Sequence, residues 1–260
     1  MLRMILVSVM LVTSSVAYAQ TAPSAPEIAA YQGLLRAAQI GDAAEIGRLV
    51  AAGADVNVRD RNGRTPAHVA AFFSSEAALR ALAAAGADMN ALENQAYDVV
   101  TIAAVTNDPN LMSLAIALGN DPSLITSPYN GTALIAAAHL GHAEIVRRLI
   151  DAGAPLDHVN NLGWTALMEA VVLGDGGPDH QEVVRLLLEA GADRELADRD
   201  GVTPLAHARA RGYAEIARLL DRLGCLRLKR VLHGETRAFG CISRRTALRT
   251  NIGLVPTFGT

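Results

Sequence analysis

The sequence predicts an all-α solenoid, a stack of short helix–turn–helix units joined by polar turns. Three observations predict it. A Gly-Ala-Asp-like element recurs at Gly53-Ala54-Asp55, Gly86-Ala87-Asp88, Gly119-Asn120-Asp121, Gly153-Ala154-Pro155 and Gly191-Ala192-Asp193, with glycine spacings of 33, 33, 34 and 38 and Gly224 another 33 further on. A threonine opens an apolar run at Thr65-Pro66, Thr132-Ala133, Thr165-Ala166 and Thr203-Pro204, in constant phase with those glycines. Apolar residues make up 51% of the 260 residues and aromatic ones only 4%, which suits thin alanine-rich helices packed closely.

Residues 1–19 read as a signal peptide. Met1-Leu2-Arg3 gives a cationic start, Met4 to Val12 an apolar run, and Ala17-Tyr18-Ala19 the small residues of a cleavage site. The run is too short for the roughly 20 residues that span a bilayer. This segment has no twin arginine, which favours the general secretory route. Residues 20–30 are expected to be a linker.

Each unit is then explicable. Threonine caps a first helix by accepting a backbone N–H, and proline fits the first helical position. Ala136-Ala137-Ala138 typifies that helix and Gly141-His142 ends it. The second helix, Glu144 to Ile150, pairs apolar residues one turn apart and buries one face. Gly153 stops it in a left-handed cap. The polar stretch from Asp157 to Gly163 returns to the next threonine. No unit hides its apolar face alone, so stacking supplies the core.

Asn161-Leu162-Gly163-Trp164-Thr165-Ala166-Leu167, Gly141-His142-Ala143-Glu144-Ile145-Val146 and Asp200-Gly201-Val202-Thr203-Pro204-Leu205 resemble the ankyrin repeat. The resemblance covers residues 31–224, in units of about 31–60, 61–93, 94–127, 128–160, 161–198 and 199–224. It implies an ankyrin-repeat solenoid of stacked helix-turn-helix units with β-hairpin-like finger loops projecting to one side, its end units acting as caps. The first unit has Gln32 in place of Thr-Pro, and the third has Asp98-Val99, where Asp serves as cap. The fifth carries about five extra residues, Asp175 to Asp179, between its helices.

The resemblance also implies protein binding through the concave face and the fingers. The variable positions of the repeat map to Arg61, Asn62, Arg64, Phe72, Phe73, Tyr97, Tyr129, His139, Leu140, Trp164, Val172, Leu173, Arg199 and Arg211. Trp, Tyr and Arg are favoured anchors in such surfaces. At least one of the Phe72 and Phe73 rings is expected to pack in the core. Trp164 is expected at the surface, with packing against a neighbouring finger as the alternative. His68 and His142 stand where the repeat places hydrogen-bonding histidines.

No nucleophile motif such as G-x-S-x-G, S-x-x-K or H-E-x-x-H occurs, so no catalytic residue is expected. No cofactor is expected. Asp175, Asp179 and His180 are the metal-dependent alternative to a plain loop insertion. From Leu226 onward seven cations face Glu235 alone, a net of +6, while the preceding chain carries −9. This basic tail, residues 225–260, is expected to be poorly ordered. It is also the feature suited to contact with anionic surfaces, with nucleic acid not expected. Cys225 and Cys241 are the only cysteines. The expected role is an exported, non-catalytic scaffold for a partner protein, periplasmic or secreted. A secreted effector that binds a host protein is the alternative within that class. Arginine outnumbers lysine heavily, Lys229 being the single lysine among 23 basic residues, which points to a GC-rich bacterial genome.

Overall fold

The computed structural model describes residues 22–221. The signal segment and the basic tail with both cysteines lie outside the described residues. Two rows of helices run side by side. The first-helix row holds α2 (Gly33–Ile40), α4 (Pro66–Phe72), α6 (Val99–Thr106), α8 (Ala133–Leu140), α10 (Ala166–Val172) and α12 (Pro204–Ala210). The second-helix row holds α3 (Ala43–Ala51), α5 (Glu76–Ala84), α7 (Pro109–Ala117), α9 (Ala143–Asp151), α11 (Pro178–Ala190) and α13 (residues 214–221). From α2 to α12 each first helix packs on the next first helix, and from α3 to α11 each second helix packs on the next second one. An additional helix, α1 (Ala25–Ala30), precedes both rows.

The caps follow the sequence. Thr132, Thr165 and Thr203 accept the backbone N–H of Ile135, Met168 and Ala206. Asp98 does the same for Thr101 in the third unit, at 2.8 Å. The turn inside a unit needs a left-handed residue. Gly141 supplies it at φ 75°, and Ser74 and Asn107 adopt the same region without glycine.

The first helices bury alanines, Ala37-Ala38, Ala70-Ala71, Ala103-Ala104 and Ala137-Ala138, each no more than 2% exposed. Small side chains allow close approach of neighbouring helices. The second helices bury larger residues, among them Ile46, Leu79, Leu82, Met112, Ile145, Leu149 and Leu187. Full burial of one such side chain is worth about 1.5–3 kcal/mol, so this row supplies much of the stacking energy.

The fingers are hairpin-like turns; no strand is assigned among the described residues. They close through backbone bonds such as Asp60 N–H to the Arg64 carbonyl and Asn160 N–H to the Trp164 carbonyl, both 3.0 Å. Neighbouring fingers join where Asn94 and Asn161 donate their N–H groups to the carbonyls of Asn62 and Tyr129. A side-chain ladder runs along the Gly-Ala-Asp loops. Asn57 Oδ1 accepts the Asp88 N–H at 2.9 Å, Asn90 Oδ1 that of Asp121 at 2.7 Å, and Asp157 Oδ1 that of Asp193 at 2.8 Å. The rung between is missing because Pro155 has no N–H, and Ser123 stands opposite in place of Asn.

Two expectations change. The stretch assigned to a linker, 20–30, contains α1, opened by Ser24, whose N–H and hydroxyl both donate to Glu27 Oε2 at 2.8 and 2.6 Å. The extra residues of the fifth unit are only partly loop. Pro178 and Asp179 begin α11, lengthening it to 13 residues where α9 has 9.

Candidate functional site: the finger side of the array

The residue just before each intra-unit turn ends a first helix at the surface. In chain order these positions are Ile40, Phe73, Thr106, Leu140, Leu173 and Arg211. Ile40, Phe73, Leu140 and Leu173 are 53%, 39%, 42% and 44% exposed. With neighbouring helices about 8–10 Å apart, the row from Ile40 to Leu173 runs roughly 40 Å. The fingers add exposed Ile125, Tyr129, Val159 and Leu162. A soluble surface scatters such residues; here repeat register aligns them.

The structure sorts the expected contact residues into three groups. Arg61, Phe73, Tyr129, Leu140, Leu173, Arg199 and Arg211 are exposed. Asn62, Phe72, His139 and Trp164 are half-buried, so one ring of the phenylalanine pair packs inward as expected. Arg64, Tyr97 and Val172 are buried and offer no free surface, which corrects their assignment as contacts. Arg64 and Tyr97 precede the helix cap, where the finger folds against the first helix. Val172 ends α10, a helix buried along its whole length. Ile40, Ile125, Val159 and Leu162 were not among the expected contacts. Ile40 escapes because the first unit lacks the threonine mark; Ile125 and Val159 precede the finger turns by one position, and Leu162 occupies a tip between polar neighbours.

Arg64 forms an internal ion cluster. Its Nε donates to Asp60 Oδ2 and its Nη2 to Glu27 Oε1, both at 2.7 Å. The Tyr31 hydroxyl donates to Asp60 Oδ2 at 2.9 Å, and the Asn62 side chain reaches Glu27. Ser24 donors, then Arg64, hold the Glu27 carboxyl down to about 2. Burial pushes the Asp60 carboxyl up, but the bonds from Arg64 and Tyr31 prevail and lower it. The cluster ties α1 to the first finger.

The histidines act as braces. His68 Nε2 lies 3.0 Å from the Tyr97 carbonyl and so donates, leaving Nδ1 to accept the Thr65 N–H at 3.1 Å. Burial holds this imidazole down to about 4. His142 Nδ1 donates to the Ala104 carbonyl at 2.8 Å. Both histidines make hydrogen bonds, as the repeat resemblance implied, and each bond runs to a neighbouring unit.

The 174–180 loop is a closed local structure. His180 Nδ1 is 2.9 Å from Asp175 Oδ1 and its Nε2 is 3.0 Å from the His139 carbonyl. The His180 ring is wedged between Gly141 and Gly174. The Tyr213 hydroxyl donates to the Gly174 carbonyl at 2.9 Å. Asp179 stays exposed on the first turn of α11 and does not join them. Among the described residues no group of three or more His, Cys, Asp or Glu side chains is placed to hold a metal ion.

One more polar group sits under the apolar row. Glu169 is 4% exposed on α10. Its Oε1 accepts from Asn160 Nδ2 at 2.7 Å. Its Oε2 lies 3.2 Å from His139 Nδ1 without hydrogen-bond alignment.

Stacked helix pairs, projecting fingers and one aligned exposed row define the class: a repeat solenoid whose working part is a surface. Models for ankyrin repeats match residues 34–83 and 100–198. A putative ankyrin repeat protein of Escherichia coli K12, YahD, is 38% identical over 191 residues, which cover 73% of this chain and 94% of that protein. The chain belongs to the ankyrin-repeat family. A solved ankyrin repeat domain from Acinetobacter baumannii AYE is 43% identical, with a TM-score of 0.69 over 74% of this chain and 97% of that one. The ankyrin repeat protein EF0377 is 31% identical, with a TM-score of 0.67 over 73% and 98%. Ankyrin repeats are protein-binding modules.

Proposed function

We propose that the chain is an exported, non-catalytic scaffold that holds a partner protein against its concave face, the side bearing the fingers and first helices. The observation that carries this is the register of Ile40, Phe73, Leu140 and Leu173: four large apolar side chains, each about 40–50% exposed, at one position of successive or near-successive units. Packing does not require them there, since Thr106 and Arg211 occupy the same position in other units. Arg61, Tyr129, Arg199 and Arg211 provide a polar, hydrogen-bonding rim around that row.

Affinity capture from the source organism tests the reading. The double variant Leu140→Asp with Leu173→Asp should keep native thermal unfolding and lose the captured protein. Capture undiminished by both charges would reject the face. Export is read from residues 1–19 and is tested by fractionation with N-terminal sequencing. The mature chain should begin at Gln20 outside the cytoplasm; an intact Met1 inside the cell would remove this part of the proposal. Appearance in the medium or in a host cell would favour the secreted effector over a periplasmic resident. No helix among the described residues is long and apolar enough to cross a membrane.

A further inference from the structure

The exposed apolar residues are unevenly distributed. Of nine large ones among the described residues, six lie between residues 125 and 173: Ile125, Tyr129, Leu140, Val159, Leu162 and Leu173. They belong to the third and fourth fingers, which open α8 and α10, and to the ends of those two helices, which pack on each other. The stretches 125–141 and 159–173 contain no Asp, Lys or Arg. Their charged or chargeable groups, apart from the Tyr129 phenol, are Glu169 and His139.

Glu169 is the unusual member. The corresponding residues are Val69, Ile102 and Ala136 in the three preceding units, with Arg36 in the first unit and His207 in the last. Its carboxylate is buried, and only one oxygen has a hydrogen-bond donor, from Asn160. The other faces His139, a side chain that is 36% exposed at the end of α8. A rotation of that one surface side chain uncovers the oxygen. A carboxylate in an apolar surround attracts a cation far more strongly than one in water.

Resting on the proposed concave-face reading, we infer that the fourth and fifth units recognise a segment of a partner protein in which a single Lys or Arg stands among large apolar side chains. The apolar side chains cover Leu140, Leu173 and the finger residues. The cation displaces His139 and bonds to Glu169 Oε2, so the buried acid becomes the specificity determinant of an otherwise uncharged surface. Arg199, whose guanidinium bonds to the Asn161 carbonyl at the rim, repels a cation placed at the finger tips and favours one over α10.

The test pans a random linear peptide library against the full chain and its Glu169→Gln variant, then measures the selected peptides by fluorescence anisotropy. The substituted amide retains an acceptor for Asn160, and thermal unfolding confirms that the variant is folded. Peptides selected on the native chain should carry one Lys or Arg flanked by apolar residues. They should bind Glu169→Gln about tenfold more weakly or worse. Replacing their cation with norleucine should cost a similar factor on the native chain and nothing further on the variant. Selected peptides with no cation preference, or one unchanged in Glu169→Gln, overturn the inference while leaving the face reading intact. Selected peptides indifferent to Leu140→Asp and Leu173→Asp overturn the face reading itself. Displacement of the selected peptides by a synthetic peptide of residues 226–249 assigns the surface to the chain's own basic tail and overturns the partner assignment.

Discussion

Replacing Arg64 should loosen the N-terminal end of the array. The guanidinium is 2% exposed and bridges Asp60 and Glu27, whose side chains are 8% and 11% exposed. In Arg64→Met the apolar stem remains and the charge goes, leaving two carboxylates facing each other across a site from which water is largely excluded. Removing one partner of a buried pair costs about 3–5 kcal/mol. Glu27 keeps its two donors from Ser24, so the lower end, about 3 kcal/mol, is expected. If the array unfolds as one unit of some 200 residues, Tm should fall by roughly 6–12 °C. A linear array also opens from its ends. Amide exchange at residues 25–31 and 60–65 should therefore accelerate first, with α8 to α11 little changed. Adding Glu27→Gln and Asp60→Asn to Arg64→Met removes the stranded charges and should restore part of the loss. A Tm within about a degree of native, together with unchanged exchange at 25–31, would refute a structural role for the cluster and return Arg64 to the list of candidate contacts.

Three further predictions follow from particular contacts. Burial holds the His68 imidazole at about 4 against an ordinary 6.5, so between those values the unfolded chain binds a proton that the folded one does not. Stability should fall as pH drops from about 6.5 and level off below about 4, by up to about 3 kcal/mol from this residue. Urea unfolding of native and His68→Gln protein across that window measures the difference, and parallel curves would exclude it. Gly174→Ala puts a Cβ 2.1 Å from the Ala170 carbonyl and 2.5 Å from the His180 ring, so a loss of about 2 kcal/mol is expected. Gly47→Ala, in α3 with nothing within 4 Å, should instead gain about 0.5–1 kcal/mol; thermal scans that rank the two the other way would contradict the packing. Ser123→Asn with Pro155→Asp should restore the missing ladder rung, giving a coupling of about 1 kcal/mol in a double-mutant cycle. Strictly additive single effects would show that no bond forms.

Local chemistry was readable wherever each unit carries its own signal. The threonine caps, the Asp98 substitute and the exposed row at Phe73, Leu140, Leu173 and Arg211 all depend on position within one repeat. Errors arose where a residue's environment is set by a distant segment. Arg64 occupies a position that the repeat usually leaves variable, and its burial depends on Glu27, 37 residues away in a stretch assigned to a linker. The spacing Ser24-x-x-Glu27 is a helix-start signature and was the available clue. Tyr97 differs in kind: its carbonyl accepts from His68, a bond between units that no single repeat announces.

Glu169 shows why reading by repeat position needs the structure beside it. In sequence it is one acid on a short apolar helix, and repeat register marks it only as a departure from the apolar residues of the three preceding units. The fold makes that departure consequential by placing the carboxylate beneath His139 and between two apolar ends, Leu140 and Leu173. Asn160 and Asp198 occupy the same finger position in successive units, and each meets its own first helix: Asn160 bonds to Glu169, and Asp198 to His207 at 2.7 Å. The second pair joins an acid to a base and is satisfied internally. The first joins an amide to an acid and leaves one acidic oxygen without an aligned donor. The same scaffold contact therefore closes one unit and leaves its neighbour with an acceptor to offer. An array of near-identical units gains selectivity through such differences, because partner discrimination depends on a buried polar group that the wrong ligand fails to satisfy.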